Sequence, residues 1–247
     1  MNVLVTGAAD GIGLATCVKF LEKGWTVIGL DMNRLEIRHD KKDELEEDHN
    51  LQVDELLNHD KFFFMKCDVR DGLPIKLLSG LDVLPIHILV NNAGVQVNSP
   101  YAIDVNTTGL IRITEDFIKH FGSYIVSIVN VGSVSAHTGE EFPYYAASKG
   151  ALLPYTKNVA ARIAKYGATC NCISPGGVLT ELNRPVIDNE ELFSKIMAVT
   201  PMKEWCTTSD IAEWIYFLAA VQNGMTGQDI IIDNGENINS KFIWEDK

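Results

Sequence analysis

Length, composition and charge limit what this chain can be. It has 247 residues, 46% of them hydrophobic and 22% charged, which suits a globular protein built as one domain around a large core. A formal net charge of −12 opposes binding to nucleic acid or to an anionic membrane, because both would repel the protein. No apolar run approaches the roughly 18 residues of a membrane span, and the first residues form a strand pattern instead of a signal peptide, so we expect a cytoplasmic protein.

Seven strand-like hydrophobic runs alternate with helical patterns along the chain. They lie at residues 2–6, 26–30, 62–67, 87–91, 124–131, 169–174 and 229–232. The connections are too long for hairpins and suit helical crossovers between parallel strands. We therefore predict a single α/β domain over residues 1–247, with a doubly wound parallel seven-stranded sheet and helices on both faces.

The first strand runs into a glycine-rich turn and then an apolar-periodic helix. The turn has the sequence Thr6-Gly7-Ala8-Ala9-Asp10-Gly11-Ile12-Gly13. Gly7 permits the tight bend, Gly11 lets backbone amides approach a pyrophosphate, and Gly13 allows close packing of the helix. The helix N-terminus adds partial positive charge, so a phosphate can be held without lysine or arginine. We assign Asp10 and Ile12 to the same cofactor site; a plain strand-to-helix connection is the simpler alternative.

Asp31 indicates whether the site prefers NAD or NADP. It ends the second strand, 18 residues beyond Gly13, where a carboxylate can accept hydrogen bonds from both ribose hydroxyls of an adenosine. The 2′-phosphate of NADP would face Asp31, and Asp10 adds a second negative charge, whereas Arg34 is the nearby basic residue that argues the other way. The pattern predicts NAD as the cofactor, with an exposed turn or cap residue as the alternative interpretation of Asp31.

The cysteines do not indicate a metal site. There are five, at Cys17, Cys67, Cys170, Cys172 and Cys206. They are scattered and odd in number, with no Cys-x-x-Cys pair and no metal-ligand spacing to the histidines. We therefore predict reduced cysteines in the core and no bound metal.

Several further motifs follow in chain order. They are Cys67-Asp68-Val69, Asn91-Asn92-Ala93-Gly94, Val131-Gly132-Ser133, Tyr145-Ala146-Ala147-Ser148-Lys149 and Ser174-Pro175-Gly176-Gly177-Val178-Leu179-Thr180. With the glycine turn, they resemble the single-domain branch of the short-chain dehydrogenase/reductase family along essentially the whole chain. The resemblance implies a set of cofactor contacts at the adenine (Asp68, Val69), after the fourth strand (Asn92, Ala93, Gly94) and at the nicotinamide (Pro175, Gly176, Val178, Thr180).

Tyr145 and Lys149 form the centre of the predicted catalytic site. They are four residues apart on a predicted helix, so they lie on one face and their polar ends can converge. A nearby ammonium favours the phenolate and lowers the pKa of a tyrosine, which makes the phenol a usable acid and base. Ser133, just past a strand end, can hydrogen-bond the same substrate oxygen. Asn106 resembles the family's helix asparagine, which holds a water in a proton relay to the lysine.

These residues predict an NAD(H)-dependent oxidoreductase that acts on a small-molecule alcohol or ketone. Tyr145 would protonate the carbonyl oxygen during reduction and remove the proton during oxidation. A non-catalytic NAD-binding sensor or scaffold on the same fold is the alternative. We expect residues 180–206 to form a substrate lid, with an ordinary surface helix as the alternative there. By resemblance, the protein should be a homodimer or homotetramer.

The chain departs from the family pattern at four places. Only eleven residues separate Gly94 from Asn106, so the helix that carries Asn106 must begin early. Gly132 stands where a second serine is common, and Asp233-Asn234-Gly235 stands where two glycines usually follow the aspartate. Pro154 should kink the helix of Tyr145, but beyond Lys149.

Overall fold

Seven parallel strands form one sheet in the computed structural model, which describes residues 1–38, 43–140 and 142–238. The strands are β1 (Asn2–Thr6), β2 (Thr26–Asp31), β3 (Phe62–Lys66), β4 (Ile88–Asn91), β5 (Ser127–Val131), β6 (Thr169–Pro175) and β7 (Asp229–Ile232). Their order across the sheet is β3-β2-β1-β4-β5-β6-β7, and every pair is parallel. The predicted doubly wound sheet is confirmed; residues 239–247 of the predicted domain lie outside the described part.

Helices and short helical turns connect the strands. The α-helices are α1 (Gly11–Glu22), α2 (Glu44–Leu57), α3 (Ile75–Leu78), α4 (Tyr101–Ile103), α5 (Leu110–Phe121), α6 (Ser135–Thr138), α7 (Pro143–Gly150), α8 (Leu152–Ile163), α9 (Arg184–Ile187), α10 (Glu190–Val199) and α11 (Thr208–Tyr216). A π-helical turn, Asp104–Gly109, joins α4 to α5, and a second, Phe217–Val221, follows α11. Across the described ranges, none of the helices combines the length and the apolar content needed to cross a membrane.

The core has two layers because both faces of the sheet are buried. On β1, Val3 and Val5 face one layer and Leu4 faces the other, as the alternation of a strand requires. The Val3 layer is covered by α1, α2 and α11, and the Leu4 layer is covered by α5 and α8. Helices therefore pack on both faces, as predicted.

Two local details refine the sequence analysis. The fifth strand begins at Ser127, three residues later than predicted, because Gly122, at φ +25°, ends α5 and the chain first makes a 3-10 turn through Tyr124. The helix of Tyr145 is interrupted at Ala151, where α7 ends and α8 begins. Pro154 lies in the first turn of α8 and cannot donate to the carbonyl four residues earlier, so the break falls beyond Lys149, as expected.

The five cysteines are unpaired, and four of them are buried. Burial raises the pKa of the Cys170 thiol far above its usual value, and it raises the pKa of Cys67 and of Cys206 to about 11. These side chains therefore stay protonated at neutral pH and behave as small apolar residues.

Candidate active site

A cleft of about 570 Å³ lies at the carboxyl edge of the sheet, where the loops after the strands meet. The strand order reverses between β1 and β4, which is the place where open α/β sheets bind ligands. All predicted site residues except Gly13 and Asn106 line the cleft. They are Gly7, Asp10, Gly11, Ile12, Asp31, Asp68, Val69, Asn92, Ala93, Gly94, Ser133, Tyr145, Lys149, Pro175, Gly176, Val178 and Thr180.

The glycine turn after β1 is a cradle that side chains would fill. Gly7 and Gly11 have φ of +67° and +51°, a backbone conformation that favours glycine. A Cβ placed on Gly13 would lie 1.9 Å from the Gly7 carbonyl oxygen, so Gly13 packs behind the cradle and does not line it. The side-chain Nδ2 of Asn92 donates to the carbonyl oxygens of Thr6 and Gly7 at 3.1 and 3.0 Å. The turn is thus fixed from behind, and its open side fits a phosphate at the N-terminus of α1.

Asp10 caps α1, and Arg38 compensates its charge. Its Oδ1 accepts a hydrogen bond from the Gly11 amide at 2.7 Å, and its Oδ2 lies 2.8 Å from Nη2 of Arg38. Burial alone would raise the pKa of Asp10, but the His49 imidazole, 3.5 Å away, and the hydrogen bonds from Arg38 outweigh burial and lower it to about 2. In the sequence, Arg34 is the basic residue that lies nearest to Asp31, whereas the structure brings Arg38 to Asp10. Because Arg38 pairs with Asp10, the predicted preference for NAD depends more on Asp31 than the sequence alone indicated, and it stays a prediction.

The carboxylate of Asp31 is anchored at the end of β2. Its Oδ2 accepts the Ala9 amide at 3.0 Å, and its Oδ1 accepts the Asn33 amide at 2.8 Å. A carboxylate offers about four acceptor positions, so the same oxygens can also take ribose hydroxyls. Next to it across the sheet, Asp68 pairs with Arg70 at 2.6 Å, and that hydrogen bond lowers the pKa of Asp68. Asp31 therefore stabilises a turn, as the alternative interpretation proposed. This role leaves its carboxylate able to contact a ribose.

Tyr145 and Lys149 project from one face of α7 beside the end of β5. Pro143, whose fixed φ suits a first helical position, begins the helix. The ammonium of Lys149 donates to the Val131 carbonyl oxygen at 2.9 Å and lies 5.9 Å from the centre of the Tyr145 ring. Both side chains are buried, with 6% and 9% of their surface exposed. A cation and a phenol are thus held together at the wall of the cleft, as the spacing predicted.

Ser133 lies two residues past β5, in a loop tied to β6. The Val134 amide donates to the Pro175 carbonyl oxygen at 2.8 Å. The Ser133 hydroxyl accepts a hydrogen bond from the Ser135 amide and donates to the Ser135 hydroxyl, both at 3.2 Å. Ser135 also lines the cleft, although the sequence analysis did not select it. The hydroxyl of Ser133 is thereby positioned by its own loop.

Asn106 lies behind the cleft and joins three segments. Its Oδ1 accepts the Val95 amide at 2.8 Å, and its Nδ2 donates to the Val95 carbonyl and to the Ser148 hydroxyl, both at 2.9 Å. A Cβ on Gly94 would lie 3.2 Å from Oδ1 and 3.4 Å from the ammonium of Lys149, so both groups face Gly94. The helix begins at Tyr101, five residues earlier, as the short segment required. The water relay through Asn106 stays a prediction.

The structure explains the glycine at position 132. A Cβ there would lie 2.7 Å from the Ser174 hydroxyl oxygen and 2.9 Å from the Cys172 sulfur. The Ser174 hydroxyl donates in turn to the Asp229 carboxylate at 2.8 Å. Side chains of β6 therefore occupy the space in which a second serine would stand.

The predicted lid segment folds as a 3-10 turn (Glu181–Asn183) followed by α9 and α10. Leu182 and Trp205 line the cleft, whereas Phe193 packs edge-on against Trp205 with ring centres 5.2 Å apart. The C-terminal loop holds the end of this segment, since the Asn234 side chain donates to the Glu204 carbonyl at 2.8 Å. The role of residues 180–206 as a lid stays a prediction.

Sequence reasoning missed Glu236, which also lines the cleft. It follows β7 in a loop where Asn234, at φ +51°, takes a left-handed conformation that asparagine tolerates better than most residues. Asn234 thus replaces the first of the two glycines expected there. Nothing in the local sequence distinguishes Glu236 from the many other acidic residues of the chain; only the packing of the loop brings it to the site.

Comparisons with known proteins find relatives over nearly the whole chain. The family model described as enoyl-(acyl carrier protein) reductase matches residues 7–237. Glucose 1-dehydrogenase of Gluconobacter oxydans is 30% identical over a 258-residue alignment that covers 98% of this chain and 93% of that protein. The structure of 4-hydroxyisoleucine dehydrogenase complexed with NADH matches with a TM-score of 0.79 and 29% identity, covering 96% of this chain and 98% of that one. The structure of ElxO with NADP bound matches with a TM-score of 0.79 and 26% identity, covering 95% of this chain and 98% of that one. The chain therefore belongs to the short-chain dehydrogenase/reductase family.

Proposed function

We propose that the protein is an NAD(H)-dependent oxidoreductase that interconverts an alcohol and a carbonyl group on a small molecule, with Tyr145 as the general acid and base. One observation carries the proposal. The buried ammonium of Lys149 lies beside the phenol of Tyr145 in a cleft that also contains Ser133 and the glycine cradle. The family membership and the dehydrogenases among its relatives support the same reaction class.

The proton chemistry belongs to the chain's own residues. In reduction, the Tyr145 hydroxyl gives its proton to the substrate oxygen, and in oxidation the phenolate takes it back. Lys149 favours the phenolate because its positive charge lies in a water-poor wall where electrostatic attraction is strong. The Ser133 hydroxyl would rotate from Ser135 to donate to the same substrate oxygen and stabilise the charge that develops there. When bound, the nicotinamide supplies or accepts the hydride.

The cofactor would be held mostly by backbone. The cradle of Gly7 and Gly11 and the N-terminus of α1 suit the pyrophosphate, and Asp31 suits the ribose of the adenosine half. The related structures contain NADH in one case and NADP in another, so a nicotinamide dinucleotide is common to both. We propose NAD because the carboxylate of Asp31 would repel a 2′-phosphate.

The Tyr145→Phe variant tests the reaction. Wild type is screened with NAD(H) against sugars, polyols, hydroxysteroids and 3-oxoacyl compounds by the absorbance of the reduced ring. Loss of the hydroxyl should lower kcat about 10²- to 10⁴-fold on whichever substrate is turned over. Tyr144→Phe is the matched control, because Tyr144 is 43% exposed and does not line the cleft. Equal turnover by wild type and Tyr145→Phe would contradict the role of Tyr145, and no turnover of any compound by wild type would favour the non-catalytic sensor.

The affinities of NADH and NADPH test the cofactor. Titrations that follow nucleotide fluorescence should show that the wild-type protein binds NADH more tightly than NADPH. Asp31→Ser should weaken the binding of NADH about tenfold or more, since hydrogen bonds to a charged group are lost. It should also reduce the difference in affinity between NADH and NADPH. Asp60→Ser, at a side chain that is 90% exposed, serves as the control. Tighter binding of NADPH by the wild-type protein would contradict the assignment.

A further inference from the structure

A carboxylate and an indole form one wall of the cleft outside the catalytic set. Oε1 of Glu236 accepts the indole N–H of Trp205 at 2.7 Å, and Oε2 accepts the backbone N–H of Gly177 at 2.9 Å. All three residues line the cleft. A Cβ on Gly177 would overlap the Trp205 ring, at 2.0 Å, so the indole lies directly against the backbone that follows β6.

The order of the strands places this wall at the substrate end. The cradle and Asp31 follow β1 and β2, on one side of the sheet, and Ser133 follows β5 near the middle. Glu236 follows β7, at the opposite edge of the sheet from the proposed adenosine site. A dinucleotide that extends from Asp31 to the proposed nicotinamide contacts at residues 175–180 therefore ends beside Glu236, so a substrate that meets the nicotinamide lies near this carboxylate.

The position of the carboxylate is fixed by its surroundings. The Asn234 carbonyl accepts the Met202 amide at 3.2 Å, and a Cβ on Gly235 would lie 2.9 Å from the Pro201 ring. Phe193 also packs edge-on against the Trp205 ring. These contacts join the C-terminal loop to the segment before α11, so Glu236 presents its oxygens in a preorganised position.

The charges of the cleft disfavour an anionic substrate. Among the described residues that line it, Lys149 is the single basic side chain, and it belongs to the catalytic pair. Glu140 and Glu181 line the cleft together with Glu236, and Glu181 is paired with Arg184. A carboxylate offers about four acceptor positions, more than the two that the N–H groups of Trp205 and Gly177 use. An O–H or ammonium group would be attracted there, and a carboxylate or phosphate would be repelled.

We propose that Glu236 is a specificity-determining residue that accepts a hydrogen bond from a second polar group of the substrate. The substrates are then alcohols with an additional hydroxyl or ammonium group, and the matching carbonyl compounds, without a negative charge. Acyl-carrier-protein thioesters, phosphates and hydroxy acids are disfavoured. This inference rests on the proposed function, because it concerns the substrate of the same site.

Matched substrates test the charge preference. The three-carbon set is 1,2-propanediol, 1-amino-2-propanol and lactate, and the six-carbon set is 1,2-hexanediol, 1-amino-2-hexanol and 2-hydroxyhexanoate. Within each set only the group beside the reacting carbon changes, from neutral to cationic to anionic. With NAD and wild-type protein, kcat/KM should be at least tenfold higher for the diol or the amino alcohol than for the hydroxy acid. A preference for the hydroxy acids overturns the inference and leaves the proposed function intact, whereas no turnover of any member counts against the proposed function itself.

Two variants separate recognition by Glu236 from structural support. Glu236→Gln should raise KM for the amino alcohol about tenfold, raise it less for the diol, and lower it for the hydroxy acid, with smaller changes in kcat. Trp205→Phe removes the indole N–H and keeps an aromatic ring, so it should shift KM for all three substrates in parallel. Circular dichroism and urea unfolding report whether each variant is folded. If Glu236→Gln also shifts all three substrates in parallel, Glu236 only supports the wall and the inference fails.

Discussion

The two ends of the cleft are built in different ways. At the cofactor end, Gly7, Gly11 and Gly13 shape the backbone within one short stretch of chain, and the missing side chains create the site. At the substrate end, Trp205 and Glu236 come from segments 31 residues apart and meet through a side-chain hydrogen bond. A site formed by the backbone of one turn can be predicted from a sequence because its residue spacing is local. A site formed by side chains from distant segments depends on the packing that brings those segments together.

Gly13→Ala tests the backbone end and should have the largest effect. The added methyl group would lie 1.9 Å from the Gly7 carbonyl oxygen, so the cradle must shift, and we expect a loss of about 3 kcal/mol in the free energy of unfolding. Urea denaturation measures the loss, and NADH titration should show weakened binding. Gly150→Ala is the control, since the nearest atom to its Cβ is 4.0 Å away; it should be neutral or slightly stabilising. Equal stabilities of the two variants would contradict the packing role of Gly13.

Gly132→Ser tests the middle of the cleft, where backbone and side chains compete for space. The new Cβ would meet the Ser174 hydroxyl at 2.7 Å, and we expect destabilisation by about 2 kcal/mol. Adding Ser174→Ala should restore part of the loss, because it removes the crowded atom. The four unfolding free energies form a double-mutant cycle. Simple additivity in that cycle would show that Ser174 is not the obstacle.

Asn234→Ala tests the side-chain end. It removes the hydrogen bond to the Glu204 carbonyl and places alanine at φ +51°, so we expect a loss of about 1 kcal/mol and a higher KM for substrate. NADH affinity should change by less than the KM for substrate, because the glycine cradle and Asp31 lie at the other end. Asn234→Gly removes the same hydrogen bond without the backbone strain and should be the more stable of the two variants. A larger effect on NADH than on substrate would break the distinction between the two ends.

Asp10→Asn should have the smallest effect, and it should depend on pH. In the folded protein, burial raises the pKa of Asp10, but the side chains of His49 and Arg38 lower it by more. The pKa falls to about 2, from its ordinary 3.8. The charged carboxylate therefore contributes stability above about pH 4, and this contribution is lost as the pH falls from 4 to 2. Because the pair is partly exposed and asparagine also caps helices, the difference at pH 7 should be below about 1 kcal/mol. Urea unfolding at several pH values checks this; a difference that does not change with pH would contradict it.

The sequence alone determined the αβ alternation, the glycine cradle and the shared face of Tyr145 and Lys149. Each depends on residue spacing within one element or one turn, and local geometry determines such features without reference to distant parts of the chain. Only the tertiary structure decided that Arg38 pairs with Asp10, that Ser174 fills the space beside Gly132, and that Glu236 reaches the cleft. Many side chains compete for such distant contacts, and close packing selects among them only when the whole fold is formed.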